Sequence, residues 1–264
     1  MNLWDVSILA IVQGITEFLP ISSSGHLVLT EHLLNLQMEN ATLEIVLHFG
    51  TLLSILWMFR EKIAHLFRSG IYEISKQPKN KPTLRYFAVL IVATIPAAFA
   101  GLVFRDWFEN IFHSTTIVGA GLIFTGLLLL SSRFASDQSR NPGFFHGLIV
   151  GLSQVLAIFP GISRAGTTIT IAMHLGVSRK ESAEFSFFMA IPVLAGAAVL
   201  KIFSGGINQL PILDIAVGLT LSFIVGCFAI SILLKMLSSQ KFHYFAPYCI
   251  ILGALILFDL VDIF

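Results

Sequence analysis

The stretch QGITEFLPISSSGH, residues 13–26, interrupts the first apolar segment of the chain. Residues 1–19 are long enough to cross a membrane but carry two acids and a glutamine, and residues 25–35 are too short to cross. Between them, Pro20 and the small residues up to Gly25 cannot continue a helix smoothly. We therefore predict a re-entrant helical hairpin, whose non-helical tip must line a protein cavity at membrane depth.

A second break of the same kind lies in the other half of the chain. Residues 143–159 are apolar, PGISRAG follows at 160–166, and a short apolar part occupies about 166–177. GITE at 14–17 resembles GLSQ at 151–154, and in both cases a proline and a serine-containing loop follow. The two hairpins therefore indicate an internal repeat.

The composition predicts a membrane protein. Hydrophobic residues make up 56% of the 264 residues, charged residues make up only 12%, and the mean hydropathy is +0.86. We predict an all-α integral membrane protein that forms a single membrane domain, 1–264, with six transmembrane helices and two re-entrant hairpins. The six predicted spans are about 41–59, 84–105, 114–131, 183–203, 212–236 and 245–262.

Each hairpin precedes three spans, so the chain divides into repeats of about 1–131 and 143–264. Three crossings are an odd number, and the second repeat is therefore expected in inverted topology, with a site near the midplane. One feature does not fit this scheme. The similar pairs Ile95-Pro96 and Ile191-Pro192 fall in non-equivalent helices.

The basic residues predict an orientation, because the cytoplasmic ends of spans carry an excess of Lys and Arg. Most of the 16 basic residues fall on one side, above all those of the loop 60–85. Both termini and the site are therefore expected outside, at the periplasm or exterior. The start, Met1 to Asp5, has an acid and no base, unlike a cleaved signal peptide. The net charge of +1 argues against a nucleic-acid partner, and Cys227 and Cys249 lie in apolar runs that suggest neither a disulfide framework nor a metal cluster.

Arg164 is the most informative side chain, because a lone arginine at membrane depth is usually paired or functional. One interpretation is that it only pairs with Glu17 and holds the two hairpins together. The interpretation that we favour is an anion clamp, since a guanidinium group matches phosphate oxygens in a bidentate way.

Both loops offer phosphate-binding geometry. The tract SSSGH at 22–26 opens a short helix, whose N-terminus presents free N–H groups to an anion, and the loop 160–168 does the same. Ordinary N-capping by Ser22 or Ser163 is the alternative. The predicted substrate-binding residues are Ser22, Ser24, Gly25, Gly161, Ser163, Gly166 and Thr168.

His26 and Ser23 are the candidate nucleophiles. His26 is either a general base or a direct nucleophile on phosphorus, and Ser23 competes for the second role with His26 or Glu17 as its base. The sequence leaves this choice open. The predicted catalytic residues are therefore His26, Ser23, Glu17 and Arg164.

Gln13 and Glu17 lie four residues apart and share a helix face. A carboxylate and an amide oxygen beside phosphates suit a hard cation such as Mg²⁺, and we predict both as metal ligands. Glu44 and His48 repeat this spacing, either lining the cavity or serving a structural role. Glu184, Thr168 and Gln154 are further polar groups near the same loops.

These motifs resemble the undecaprenyl pyrophosphate phosphatase (bacitracin resistance) family over essentially the whole chain. Residues 13–26 resemble its first signature, and PGISRAGTT at 160–168 resembles its second. EFSF at 184–187 is similar to a further family segment. Two departures matter. Gln13 stands where the family often has Glu, and Ala165 stands where Ser is common.

The resemblance implies a phosphatase that removes the terminal phosphate of undecaprenyl pyrophosphate in a bacterial cytoplasmic membrane, with Mg²⁺ or Ca²⁺ as cofactor. The product is the carrier of peptidoglycan precursors. By position, Glu17, Ser23, His26 and Arg164 match family residues considered essential, and Gln13 and Thr168 match positions of supporting importance. The expected partners are a prenyl pyrophosphate lipid and membrane lipid, with a homodimer as the one protein assembly considered.

Three other functions compete with this interpretation. An acid-phosphatase-like lipid phosphatase is rejected, because His174 follows Arg164 at the wrong spacing with no Asp close by. A transporter or flippase of the prenyl phosphate carrier would share the inverted repeats and hairpins. A purely structural membrane protein leaves Arg164, His26 and Glu17 unexplained.

Overall fold

The structure of the protein, a computed structural model, describes residues 2–36, 41–104, 107–108, 111, 114–136, 138–203 and 210–258. These ranges are helical, and an isolated bridge joins Arg140 to Val177. Short 3₁₀ helices cover Ser132–Phe134 and Phe242–Phe245. The α-helices are α1 Leu3–Thr16, α2 Ser23–Leu33, α3 Ala41–Met58, α4 Arg60–Lys76, α5 Pro82–Val103, α6 Thr115–Ser131, α7 Phe144–Leu156, α8 Arg164–His174, α9 Arg179–Phe203, α10 Ile212–Ser238 and α11 Ala246–Leu257.

Two helical pairs, α1–α2 and α7–α8, lie where the sequence predicts hairpins. Asn2 caps α1 in a reciprocal capping box with Asp5. The helix ends before Pro20, and Ser22 starts α2 from a positive φ of 71°. The second pair breaks in the same way before Ser163, the N-cap of α8. The predicted interruption of both apolar segments is therefore present in the fold.

Each hairpin packs against a helix from the other half of the chain. α1 packs on α10, and α7 packs on α5. The glycines of the two similar motifs allow both approaches. A Cβ added at Gly14 would lie 2.8 Å from Val225 Cβ, and one added at Gly151 would overlap the backbone of Ala93. Small residues that let helix backbones approach closely are the usual basis of packing between membrane helices.

The centre of the fold lies where α3, α9 and α10 meet below the first hairpin. Phe18, directly after α1, is fully buried and contacts Phe187 of α9 edge to face, with ring centroids 5.6 Å apart. Phe59 contacts Phe187 as well, also at 5.6 Å. Edge-to-face pairs add attraction beyond surface burial, so this cluster fixes the hairpin relative to α9.

Fewer helices qualify as spans by length and composition than the six predicted. Three helices of the described ranges do so, and the number rises to four if the bent pair α3–α4 counts as one span. α9 begins with charged residues, and α11 has 12 residues in the described part of the chain. The predicted span ends at 105 and 259–262 lie outside the described residues. The result is an apolar helical protein with several membrane-spanning helices.

The predicted loop 60–85 was wrong over much of its length, because Arg60–Lys76 forms the amphipathic helix α4. Its axis is bent by 72° from α3. Ile63 and Leu66 pack against the core, while the remaining surface carries charged residues together with exposed apolar ones such as Phe67 and Ile71. The charges predicted an aqueous loop, but the apolar residues among them have helical spacing.

Glu73 joins α4 to the start of α5. Its two carboxylate oxygens accept hydrogen bonds from the N–H groups of Thr83 and Leu84, at 3.0 and 2.9 Å. These belong to the first turn of α5, which has no intrahelical acceptor for them. We expect Glu73→Ala to lower the Tm of the protein in detergent. Glu61→Ala on the same helix is the control, because the Glu61 side chain is 90% exposed, and its Tm should stay unchanged.

Candidate active site

The tips of the two hairpins touch each other. A Cβ added at Gly25 would lie 3.3 Å from the Cα of Gly161, and one added at Gly166 would lie 3.3 Å from Pro20 Cβ. Gly161 has a φ of +86° and fits closely against the backbone of Val118 in α6, so a larger residue would be strained and would clash. The predicted loops therefore meet inside the protein.

A cavity of about 300 Å³ lies between these tips. It contains the candidate residues Glu17, Ser23, Ser24, Ser163 and Arg164. The wall combines acids, a base and hydroxyls with a few apolar side chains, which suits a charged head group on a lipid. The remaining lining residues are Thr16, Leu27, Glu44, His48, Ala157, Ile158 and Ile162.

Glu17 is the centre of this cavity and connects the two hairpins. Its Oε1 accepts a hydrogen bond of 2.6 Å from Arg164 Nη2, and its Oε2 accepts one of 2.8 Å from Ser23 Oγ. Gln13 Nε2 donates to the same Oε2 at 3.2 Å. Only 6% of the Glu17 side chain is exposed, so its charge is balanced almost entirely by these partners.

Arg164 is fixed from several sides and still reaches the cavity. Nη1 donates to the backbone oxygen of Ser186 at 3.4 Å, and 17% of the side chain is exposed. Thr168 braces this arrangement, since its hydroxyl donates to Arg164 O at 2.8 Å and lies 2.7 Å from Ser186 Oγ. Thr168 thus positions Arg164 through α8 and α9 and is absent from the cavity wall.

Ser22 and Ser163 cap their own helices. Ser22 Oγ accepts from Gly25 N at 3.4 Å, and Ser163 Oγ accepts from Gly166 N at 3.0 Å. Ser24 Oγ lies 3.3 Å from Ser22 Oγ. Ser23 and Ser24 at the start of α2 and Ser163 and Arg164 at the start of α8 line the cavity, so both helix N-termini lie at its wall, where helix dipoles favour an anion.

His26 lies beside the cavity and is not part of its wall. Its Nδ1–H donates to Ser22 O at 2.8 Å, and Nε2 lies 2.7 Å from the hydroxyl of Tyr248, which stacks on the ring. Since a carbonyl oxygen only accepts, Nδ1 carries the proton and Nε2 accepts from Tyr248. The imidazole thus joins the first tip to α11, whereas Ser23 faces the cavity.

The predicted metal ligands form no ready-made cage. Gln13 turns its Nε2 toward Glu17, and its Oε1 is buried without a hydrogen-bond partner. No group of three His, Cys, Asp or Glu side chains suited to a metal occurs among the described residues. Two carboxylates, Glu17 and Glu44, nevertheless face one cavity. This donor set fits a cation such as Mg²⁺ that is shared with phosphate oxygens, as is common for that ion.

Glu44 and His48 are placed on the cavity wall, as one of the two sequence interpretations required. His48 Nδ1–H donates to Glu44 O at 2.7 Å, and its Nε2 lies 3.7 Å from Glu17 Oε2. Glu184 is placed elsewhere, in an ion pair with Lys62 that also includes Glu181. That pair ties α4 to α9 outside the cavity.

Thr125 supports the second loop, and sequence reasoning missed it. Its hydroxyl donates to Gly161 O and accepts from Ser163 N, both at 3.0 Å, and the side chain is fully buried. A threonine in the middle of an apolar span was the available signal, but its partners lie 36 and 38 residues away.

We expect Thr125→Val to destabilise the protein by about 1–3 kcal/mol, because two buried backbone groups lose their partner. The loss of loop geometry should also lower activity. Thr94→Val is the matched control, since the Thr94 hydroxyl donates only to Leu90 O in its own helix. Equal Tm values for the two variants would contradict the bracing role.

Comparison with known proteins identifies the family of this chain. The model of the family described as bacitracin resistance protein BacA matches residues 6–255. A protein of Korarchaeum cryptofilum (strain OPF8), named undecaprenyl-diphosphatase, is 39% identical over 261 residues, covering 97% of this chain and 99% of the relative. Proteins of the same name from Halothermothrix orenii and Carboxydothermus hydrogenoformans are 38% and 37% identical, covering 97% of this chain and 98% and 97% of their own lengths. The chain therefore belongs to the bacitracin resistance protein BacA family.

Proposed function

We propose that this chain hydrolyses undecaprenyl pyrophosphate to undecaprenyl phosphate and inorganic phosphate, and so recycles the lipid carrier of cell-wall synthesis. The observation that carries the proposal is the cavity in which one buried carboxylate, Glu17, holds both Arg164 and Ser23 between two helix N-termini. The match to the family and the name of the relatives supply the substrate.

Electrostatics supplies most of the catalysis in this proposal. Cleavage of a phosphoanhydride needs charge neutralisation and in-line positioning. Arg164 and the N-termini of α2 and α8 neutralise the phosphates. Arg164 donates hydrogen bonds to Glu17 and to the backbone oxygen of Ser186, and these bonds fix the position of the guanidinium group before the lipid binds.

Ser23 is the nucleophile that the geometry favours over His26. Its Oγ–H already donates to Glu17 Oε2, so that oxygen takes the proton as Oγ attacks the terminal phosphorus. The bond from this phosphorus to the bridging oxygen breaks, and undecaprenyl phosphate leaves. Glu17 passes the proton from Ser23 to this leaving group. Water then attacks the phosphorus of the phosphoserine and gives a proton to Glu17. The bond from phosphorus to Ser23 Oγ breaks, Glu17 returns the proton to Ser23 Oγ, and inorganic phosphate leaves. His26 positions Ser22 to Ser24 through its bond to Ser22 O.

Glu17 and Gln13 would hold a divalent cation, Mg²⁺ or Ca²⁺, with Glu44 on the cavity wall as a further ligand. When bound, it would neutralise negative charge on the phosphate oxygens. The test is phosphate release in EDTA followed by titration with each cation. Activity that is lost in EDTA and restored by Mg²⁺ or Ca²⁺ supports the cofactor, and full activity in EDTA removes it from the account.

In the proposed topology, six helices span the membrane and two helical pairs form re-entrant hairpins, arranged as inverted repeats. The packing between the two halves supports the repeats. α1 packs on α10 and α7 packs on α5, so each hairpin contacts the second span of the other repeat. The non-equivalent positions of Pro96 and Pro192, in α5 and α9, still do not follow this symmetry. Cysteine labelling from each side of the membrane would test the six crossings.

The proposed location is the bacterial cytoplasmic membrane, with the active site and both termini at the periplasm or exterior. The charged helix α4 would then lie on the cytoplasmic side with the other basic ends. A cysteine at position 4, where the native Trp4 is 79% exposed in the first turn of α1, should react with an impermeant reagent added from outside. A homodimer stays a prediction, to be tested by the mass of the purified protein in detergent.

Phosphate release by purified protein from undecaprenyl pyrophosphate, compared with undecaprenyl phosphate, tests the reaction itself. We expect release from the first lipid and much slower release from the second, because the second lacks an anhydride bond. Equal rates on both lipids would make the protein a general lipid phosphatase and would contradict the proposed specificity.

A further inference from the structure

A second cavity of about 310 Å³ adjoins the first one and has a different character. The two cavities share Arg164, Ala157 and Ile158, so the guanidinium group lies in the wall between them. The remaining residues of this side cavity are Ala97, Gly101, Gln154, Ala190, Val193 and Leu194. Apart from Arg164 and Gln154, its wall is apolar.

Gln154 is anomalous in this wall. The side chain is 4% exposed, and neither the nitrogen nor the oxygen of its amide group has a hydrogen-bond partner. A buried amide without partners costs folding free energy, so such a group requires a partner from outside the chain, such as a ligand or a water. In the repeated motif, Gln154 stands where Glu17 stands in the first hairpin. The two residues lie on the walls of adjoining cavities that meet at Arg164.

We propose that the side cavity binds the ester end of the substrate, with Gln154 as a specificity residue. The first isoprene units lie against the apolar wall, and the Gln154 amide donates a hydrogen bond to the phosphate that stays on the lipid. Phosphate oxygens accept hydrogen bonds and the amide offers two N–H donors, so the pairing satisfies the buried nitrogen. The terminal phosphate then lies in the first cavity, with Arg164 at the junction. This assignment rests on the proposed phosphatase function.

Two glycines provide a matched pair of variants to test the apolar wall. A Cβ added at Gly101 in α5 or at Gly196 in α9 meets no atom within 4 Å, so both positions accept a side chain without a clash. Both glycines lie within helices, where a leucine is favourable. Only Gly101 contributes to the side cavity, which makes Gly196→Leu the control for Gly101→Leu.

The measurement is KM and kcat for farnesyl diphosphate, a soluble prenyl diphosphate, with the Tm of each variant in detergent. We expect Gly101→Leu to raise KM about tenfold or more, because its side chain occupies the space of an isoprene unit. Gly196→Leu should stay within about twofold of wild type, because Gly196 is exposed on α9 and does not line the cavity. Equal KM values for both leucine variants would overturn the assignment.

Gln154→Leu distinguishes a role of the Gln154 amide in substrate binding from a role in stabilising the fold. Removing a buried amide that has no partner should leave the Tm unchanged or raise it. The lost hydrogen bond to a charged phosphate should raise KM about ten- to hundredfold. A lower Tm with an unchanged KM would mean that the amide serves the fold and would overturn the proposal. Failure of the phosphatase function itself is distinguishable, because wild type would then release no phosphate from any prenyl diphosphate.

Discussion

Arg164→Ala is expected to lower kcat/KM for undecaprenyl pyrophosphate by on the order of 10³-fold. The guanidinium group is the main positive charge in a cavity built for phosphates, and losing a preorganised donor of this kind costs two to three orders of magnitude in rate. The change also leaves Glu17 buried beside Ser23 without its cation, which destabilises the fold by about 3–5 kcal/mol. Phosphate release and Tm in detergent, measured side by side, give both effects.

The double variant Glu17→Gln with Arg164→Gln separates the two roles of this ion pair. It removes both charges together and restores a neutral pair that hydrogen bonds, so its Tm should exceed that of Arg164→Ala. Its activity should stay as low as that of the single variant. Recovered activity in the double variant would contradict the catalytic roles of both Glu17 and Arg164.

Ser23→Ala is expected to lower kcat by about 10³-fold or more, because the attacking oxygen is removed. KM should change little, since Arg164 and both helix N-termini remain. The fold should tolerate the change, because Glu17 keeps Arg164 and Gln13 as partners. Single-turnover assays of phosphate release report this loss directly.

Ser231→Ala is the control for Ser23→Ala. Ser231 lies on α10, donates only to Cys227 O in its own helix, and faces away from the cavity. His26→Ala completes the set, because its loss should lower the Tm as well as the rate by releasing the tip from Tyr248. A Ser23→Ala enzyme that keeps most of its kcat would exclude Ser23 as nucleophile and return that role to His26 or to water.

The breaks within the two apolar segments were predictable from the sequence for a physical reason, and the pairing of Arg164 with Glu17 was one of two interpretations that the sequence offered. Proline and a run of small residues within an apolar segment stop a helix locally, so residues 16–23 reveal the break without tertiary information. A lone arginine in an apolar segment needs a partner, and few acids are available in a chain this poor in charge. Glu17 does pair with it, at 2.6 Å.

Other features depend on contacts that no local pattern carries. The Tyr248 hydroxyl that engages His26 comes from 222 residues away, and the Thr125 brace comes from a span that looks uniformly apolar. The helix α4 was not recognised in the sequence, because its many charged residues suggest a loop. Its apolar side nevertheless packs on the core. The side cavity at Gln154 likewise arises only when α5, α7, α8 and α9 come together.

The most direct test of the account is phosphate release by purified protein reconstituted into liposomes that contain undecaprenyl pyrophosphate. The account predicts one inorganic phosphate released for each lipid converted to undecaprenyl phosphate by wild type, and background release by Arg164→Ala protein that retains its helical content. Movement of the intact lipid between leaflets by well-folded wild type, without phosphate release in EDTA, Mg²⁺ or Ca²⁺, would contradict the enzyme and leave a lipid carrier in its place.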